Sequence, residues 1–151
     1  SLYGEFLVNG DEVKVIEYNC RFGNPSSMNI LNIMKISFPN LCEHILSGKI
    51  DELEDVFDED NVSLSAYVVP KDYTVNKKHV GDEVEFSEVN NDLFYCGNMK
   101  YENGKYYLKN SRAFAVCAKA QSIKEAREIV YRELEKVKGN IYYRKDIGNA
   151  N

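Results

Sequence analysis

The stretch VIEYNCRFGNPSS, Val15 to Ser27, sets a carboxylate, an amide and a guanidinium at every second position: Glu17, Asn19 and Arg21. Side chains alternate along a strand, so Glu17 and Asn19 share a face with Val13 and Val15. Upstream, Leu2 to Val8 is a second strand-like run, and the NGDE between the two carries strong turn signals, which predicts a hairpin. With Gly10 to Glu12 as a three-residue loop, Asn9 sits opposite Val13 and Glu5 opposite Glu17, with Cβ atoms about 5 Å apart. A two-residue turn would offset that pair. Like charges opposed across strands destabilise unless something compensates them. Oxygen ligands that converge on one point suit Mg²⁺, which takes a few carboxylates or amides and completes its shell with phosphate oxygens. Arg21, two residues on, can clamp a phosphate or carboxylate in bidentate fashion. The group reads as half of a nucleotide–metal site, although spacing alone also allows ordinary exposed pairs.

The elements that must position these residues follow in order. RFGNPSS is a loop, and Ser26 or Ser27 caps a helix from Met28 to about Ile36. A second helix, Leu41 to Leu46, follows Pro39 and Asn40 and is closed by Gly48. From Asn61 the texture changes to strands: Val62 to Val69, Glu83 to Phe86, Asp92 to Met99, Lys105 to Lys109 after an Asn103-Gly104 turn, and Arg112 to Ala120. The last helix has Ser122 and Glu125 as a capping box, an apolar face of Ala126, Ile129, Val130, Leu134 and Val137, and a stop at Gly139. In the tail IYYRKDIG, Arg144, Lys145 and Asp146 are expected to dock against the sheet or the hairpin. The reading is an α+β fold. Residues 1–58 form a hairpin with helices, and residues 59–151 an antiparallel sheet with a covering helix.

Bulk properties narrow the function classes. The net charge of −5 offers no basic face for nucleic acid. The acidic run DELEDVFDED lacks the spacing and central glycine of a calcium loop and reads as solvated surface. The four cysteines form no CxxC pair and fit no zinc spacing, and His44 and His79 have no Cys or His companion in sequence, which argues against triad-type catalysis. Cys20 is expected in the core and the tyrosines in sheet packing. No signal peptide and no membrane-length apolar run are present, so a cytoplasmic chain with reduced thiols and no membrane partner is expected. The opening SLYGEFLVNG is already in strand pattern, as though cut from something longer.

VIEYNCRFGNP, read whole, resembles the motif that closes the active site of ATP-grasp ligases, nearest to the phosphoribosylamine–glycine ligase family, with its pattern V-[IV]-E-[FY]-N-x-R-F-G-D-P-E. LYGEFLV looks like the preceding strand of that family and MNILNIMK like the following helix. AYVVPKDY, NSRAFAVCAKAQSIKEA and YYRKDIG resemble its later motifs in the same order, so the likeness covers essentially the whole chain. The resemblance implies the C-terminal end of an ATP-grasp domain followed by a small antiparallel domain with covering helices. It implies a ligase that joins glycine to 5-phosphoribosylamine with ATP, through a glycyl phosphate, in purine biosynthesis. Glu17 and Asn19 match the family's Mg²⁺ (or Mn²⁺) ligands, and Arg21 the arginine that stabilises the transferring phosphoryl group.

The chain departs from the family at several of these positions. In the substrate-binding stretch Asn24-Pro25-Ser26, Asn24 replaces Asp and Ser26 replaces Glu, while Ser27 stands where the family has Thr or a small residue. Glu5 stands where Gly or Gln is usual, which makes it a candidate added metal ligand. Asn110-Ser111 replaces Gly-Gly ahead of Arg112, a candidate contact to the nucleotide or sugar phosphate. The adenine pocket, the phosphate-binding lysines and an N-terminal portion are expected from a longer enzyme, and the isolated chain is expected to be inert. Two alternatives stay open: a non-catalytic binding or regulatory module derived from this family, and the end of a different ATP-grasp ligase.

Overall fold

The computed structural model describes residues 1–149. It is α+β, with antiparallel pairing throughout. The hairpin comprises β1 (Tyr3–Asn9) and β2 (Glu12–Asn19). Then come α1 (Ser26–Asn32) and α2 (Phe38–Ser47). The strands β3 (Val62–Pro70), β4 (Glu83–Glu85), β5 (Phe94–Cys96), β6 (Met99–Glu102), β7 (Lys105–Leu108) and β8 (Phe114–Ala120) follow. The chain closes with α3 (Ile123–Leu134), β9 (Lys138–Gly139) and β10 (Ile141–Tyr142). Strands assemble as the pair β1-β2, a four-stranded sheet β10-β3-β8-β5 and a second four-stranded sheet β6-β7-β4-β9.

The core sits where β3 and β8 meet α3. Alternation puts Leu64, Ala66 and Val68 of β3 and Phe114, Val116 and Ala118 of β8 on one face, against Ala126, Val130 and Leu134. The opposite face is covered by α1 through a polar joint. Asn32 Nδ2 donates to Ser63 Oγ at 3.1 Å, Ser63 Oγ donates to Asn29 Oδ1 at 3.2 Å, and the Cys117 thiol joins them, its pKa pushed up by burial. Covered on both faces, β8 reads as a nearly continuous apolar run, FAVCA.

Several boundaries differ from the sequence expectation. Ser26 and Ser27 lie inside α1, not at its cap, which is Pro25, and the helix ends at Asn32 because the chain turns for the Met34–Phe57 bridge. Ser37 caps α2 by accepting from the Asn40 N–H, and Gly48 closes the helix as expected. The run Asp92 to Met99 is split at Gly97: β5 joins one sheet, β6 the other, and the Gly97 and Asn98 N–H groups donate to the Ala113 and Arg112 carbonyls. The Ser122 cap of α3 forms as predicted, but the helix stops at Leu134, and Gly139 belongs to β9, paired with Val84 of β4. The tail docks through its backbone carbonyls. Arg127 donates to Lys145 and Ile147, and Tyr131 to Arg144, whereas the Arg144 and Asp146 side chains pair with each other. Cys20 is exposed, against the expectation of a core position, because both faces of the hairpin are largely open to solvent.

Glu133 is a buried acid in α3 that faces the loop before β5. Its carboxylate accepts from Lys136 Nζ at 2.7 Å and from the Asn90 N–H at 2.8 Å. The Lys136 ammonium, aided by the Asn90 amide, holds the Glu133 carboxyl below the usual glutamate range. A lowered folded pKa stabilises the fold above the ordinary glutamate value of about 4.3, and that contribution is lost as pH falls through the folded value. Acid unfolding below that pH is therefore expected to be less steep in Glu133→Gln than in the parent. An identical fall of unfolding free energy with pH in the two proteins, followed by denaturant titrations between pH 5 and pH 3, would count against it.

Candidate functional site

The hairpin turns over two residues, with Asn9 opposite Glu12, so the three-residue loop expected from the sequence is not formed. Phe6 then pairs with Val15, and a register shift leaves Ile16 without a partner before Glu5 pairs with Glu17. The two acids therefore do stand opposite each other, by a bulge and not by turn length. Phe6 and Tyr18 lock the bulged region with an edge-on ring contact at 5.9 Å. After β2 the chain bends at Gly23, which is buried beneath the Tyr3 ring. Any Cβ there would run into that ring, so the close approach requires glycine.

This bend brings the hairpin and loop against β3. An open cleft of about 550 Å³ is lined by Glu5, Glu17, Arg21, Asn24 and Arg112, together with Tyr3 and Tyr67. Five sequence-predicted residues thus converge on one cavity. Asn19 stands just beside it and donates its amide to Glu17 Oε1 at 2.7 Å, which leaves its amide oxygen uncommitted. Arg21 donates one guanidinium nitrogen to the Phe22 carbonyl at 2.8 Å and keeps its other donors for a ligand. Asn24 accepts from the Tyr67 hydroxyl at 2.6 Å, and Arg112 lies 5.3 Å from the centre of the Tyr67 ring. Ser26 is not among the residues that line the cleft and donates its hydroxyl to the Tyr3 hydroxyl at 3.4 Å, and Pro25 lines a neighbouring hollow. Tyr3 and Tyr67 escaped the sequence reading. Both look like ordinary strand aromatics, and only the fold sets them beside the loop.

The donor set permits one kind of ion. Glu5, Glu17 and Asn19 offer oxygens only, which suits a hard divalent cation and not zinc or copper. Among the described residues no three His, Cys, Asp or Glu side chains gather as a cage. Two carboxylates and an amide instead fit an ion that completes its shell with substrate oxygens. No lysine or arginine among the described residues forms an ion pair with Glu5 or Glu17.

The fold is similar to that of the phosphoribosylamine–glycine ligase solved from Thermotoga maritima. The superposition has a TM-score of 0.73 at 19% identity and covers 96% of this chain and 36% of that one. Residues 63–150 match the family described as phosphoribosylglycinamide synthetase, C domain, and the chain belongs to that family. Curated phosphoribosylamine–glycine ligases are 41% identical over 97% of the chain in Methanococcus maripaludis strain S2, and 36% identical over 97% in Methanocaldococcus jannaschii. The chain spans about a third (34%) of the length of these relatives and corresponds to their C-terminal portion. No helix among the described residues is long and apolar enough to cross a membrane.

Proposed function

We propose that the chain acts as the C-terminal portion of an ATP-grasp ligase that joins glycine to 5-phosphoribosylamine in purine biosynthesis, in the cytoplasm. Residues 1–58 are read as the end of the ATP-grasp domain and residues 59–151 as the antiparallel domain beside it. The observation that carries the reading is the convergence of Glu5, Glu17 and Arg21 on one cleft, with Glu5 and Glu17 opposed and unpaired. A cation bound between two opposed carboxylates would relieve their repulsion.

In this reading Glu17 and Asn19, with Glu5 as an added ligand, would hold Mg²⁺, which would neutralise charge on the ATP phosphates. A glycine carboxylate oxygen attacks the terminal phosphorus and displaces ADP. The amine of 5-phosphoribosylamine then attacks the acyl carbon, and phosphate leaves. Arg21 supplies donors to the transferring phosphoryl group in a partly enclosed site, where such bonds gain strength. Asn24 keeps a polar group at the position of the usual aspartate, held by Tyr67. It presents an amide in place of a charge toward the substrate amine.

The test is phosphate release by the longer ligase that carries this chain. Release is expected to depend on glycine and 5-phosphoribosylamine together, and the 151-residue chain alone is expected to turn over nothing and to bind Mg-ATP weakly or not at all by calorimetry. Tight binding by the chain alone, or glycine-independent release by the ligase, would overturn the assignment.

A further inference from the structure

Of the residues that line the cleft, all but Tyr67 and Arg112 lie between Tyr3 and Met28. Those two come from the antiparallel sheet, Tyr67 on β3 and Arg112 just ahead of β8, and their backbone is firmly held. Tyr67 aligns with Ala115, the Ala113 N–H donates to the Val68 carbonyl at 2.8 Å, and the Arg112 carbonyl accepts from the Asn98 N–H at 3.0 Å. The flanking Ala66 and Val68 are buried in the core, so alternation turns Tyr67 to the opposite face, where it meets the 21–24 loop.

From this one position Tyr67 reaches two cleft residues. Its hydroxyl donates to Asn24 Oδ1 at 2.6 Å, and its ring lies beneath the Arg112 guanidinium. The separation suits an O–H···O bond and is shorter than an amide N–H donor makes, so the phenol is the donor and the amide oxygen faces it. Asn24 is thereby held with its oxygen toward Tyr67. The backbone of the same loop is held by other bonds. The Ser27 N–H donates to the Gly23 carbonyl at 3.0 Å, the Met28 N–H donates to the Pro25 carbonyl at 2.9 Å, and the Tyr3 ring covers Gly23. The Tyr67 hydroxyl is thus not needed to build the loop. What it sets is the direction of one side chain in the cleft.

We propose that Tyr67 is a positioning residue: its hydroxyl orients the Asn24 amide and its ring seats Arg112, so that the antiparallel sheet aims the loop at 5-phosphoribosylamine. The inference rests on the ligase reading and adds to it a residue that acts through two others and on one substrate. The hydroxyl bonds Asn24 and none of Glu5, Glu17 or Asn19, so the handling of Mg-ATP does not pass through it.

The test is steady-state kinetics of the complete ligase, with glycine-dependent phosphate release by the parent measured first. Tyr67→Phe keeps the ring under Arg112 and removes the hydroxyl. It is expected to raise KM for 5-phosphoribosylamine about fivefold, with kcat and the KM for Mg-ATP each changed less than about twofold. Tyr67→Leu removes the ring as well and is expected to raise the same KM about tenfold or more. Because the hydroxyl acts through Asn24, adding Tyr67→Phe to Asn24→Ala is expected to change nothing further, whereas independent residues would multiply their effects. An unchanged KM for 5-phosphoribosylamine, an equal rise in both KM values, a fall in kcat alone, or multiplied effects in the double variant would overturn the proposal and leave the ligase reading standing. Absence of glycine-dependent release in the parent would overturn that reading, and the proposal with it. A second measurement needs no turnover. In ¹⁵N NMR spectra of the chain, the Asn24 side-chain amide signal, identified by its loss in Asn24→Ala, is expected to move in Tyr67→Phe while the backbone signals of Gly23 and Ser27 hold. Movement of the Gly23 and Ser27 signals as well would mark a merely structural role and overturn the positioning one.

Discussion

Glu17→Gln in the complete ligase is expected to lower kcat for glycine-dependent phosphate release about a hundredfold or more, which corresponds to about 2.7 kcal/mol of barrier. The substitution removes the charge and little else. A glutamine oxygen still accepts from Asn19, which donates to Glu17 Oε1 at 2.7 Å, and the side chain keeps its length opposite Glu5. The protein without metal is not harmed, because one of two opposed like charges disappears. Tm without metal should therefore hold or rise while turnover collapses, and a merely structural role cannot produce that combination. Raising Mg²⁺ should recover part of the rate, since a weaker site fills at higher concentration. Glu5→Gln should show the same signature at smaller amplitude, with the apparent affinity for Mg²⁺ lowered more than kcat. Turnover near the parent level in Glu17→Gln would remove Glu17 from the metal site, and with it the reading of the hairpin as a phosphate-facing surface.

A three-residue loop at Gly10 to Glu12 would oppose Glu5 and Glu17 by register alone, whereas the structure makes a two-residue turn and opposes them through a bulge at Ile16. Turn residues advertise themselves through glycine and asparagine, but a bulge in the middle of a β-branched run leaves no such mark. Local signals elsewhere were legible for the same reason that they are local. Ser122 accepts from the Glu125 N–H, Gly48 ends α2 in the left-handed region, and Asn103-Gly104 turns β6 into β7. Gly139 misled because a glycine after a helical run signals a C-cap by proximity alone, and here it serves a strand. The convergence of Arg112 and Tyr67 with the 21–24 loop depends on β3, β8 and α1 packing together, a non-local event that no window of sequence contains. Pairing across the bulge and the placing of Tyr3 over Gly23 belong to the same class.

Phe114→Ala is expected to cost the chain about 3–5 kcal/mol, a large share of the roughly 5–15 kcal/mol that holds a domain together. Phe114 is 0% exposed and opens β8, the strand flanked by β3 and β5, where it aligns with Val68 on one side and Cys96 on the other. Its ring lies 5.1 Å from that of Phe86 and 4.9 Å from that of Phe94, so truncation leaves a cavity and strips both neighbours of an aromatic contact worth about 0.5–1.5 kcal/mol. The β-strand frame around it is fixed by main-chain bonds and cannot collapse freely into the void, which places the cost toward the upper end. Phe114→Leu retains most of the volume and should lose markedly less, about 1–2 kcal/mol. Leu46→Ala, at an 87% exposed position on α2, should change stability by less than about 0.5 kcal/mol. Denaturant titration decides the matter: the midpoint should fall for Phe114→Ala with the slope unchanged. A loss below about 1 kcal/mol would mean that the aromatic cluster is not what anchors the sheet. Function follows from the same packing, because Arg112 lies two residues before Phe114 and Tyr67 one residue before the Val68 that faces it. A loosened Phe114 lets both cleft residues drift, so in the complete ligase the rate should fall at temperatures where the chain is still folded.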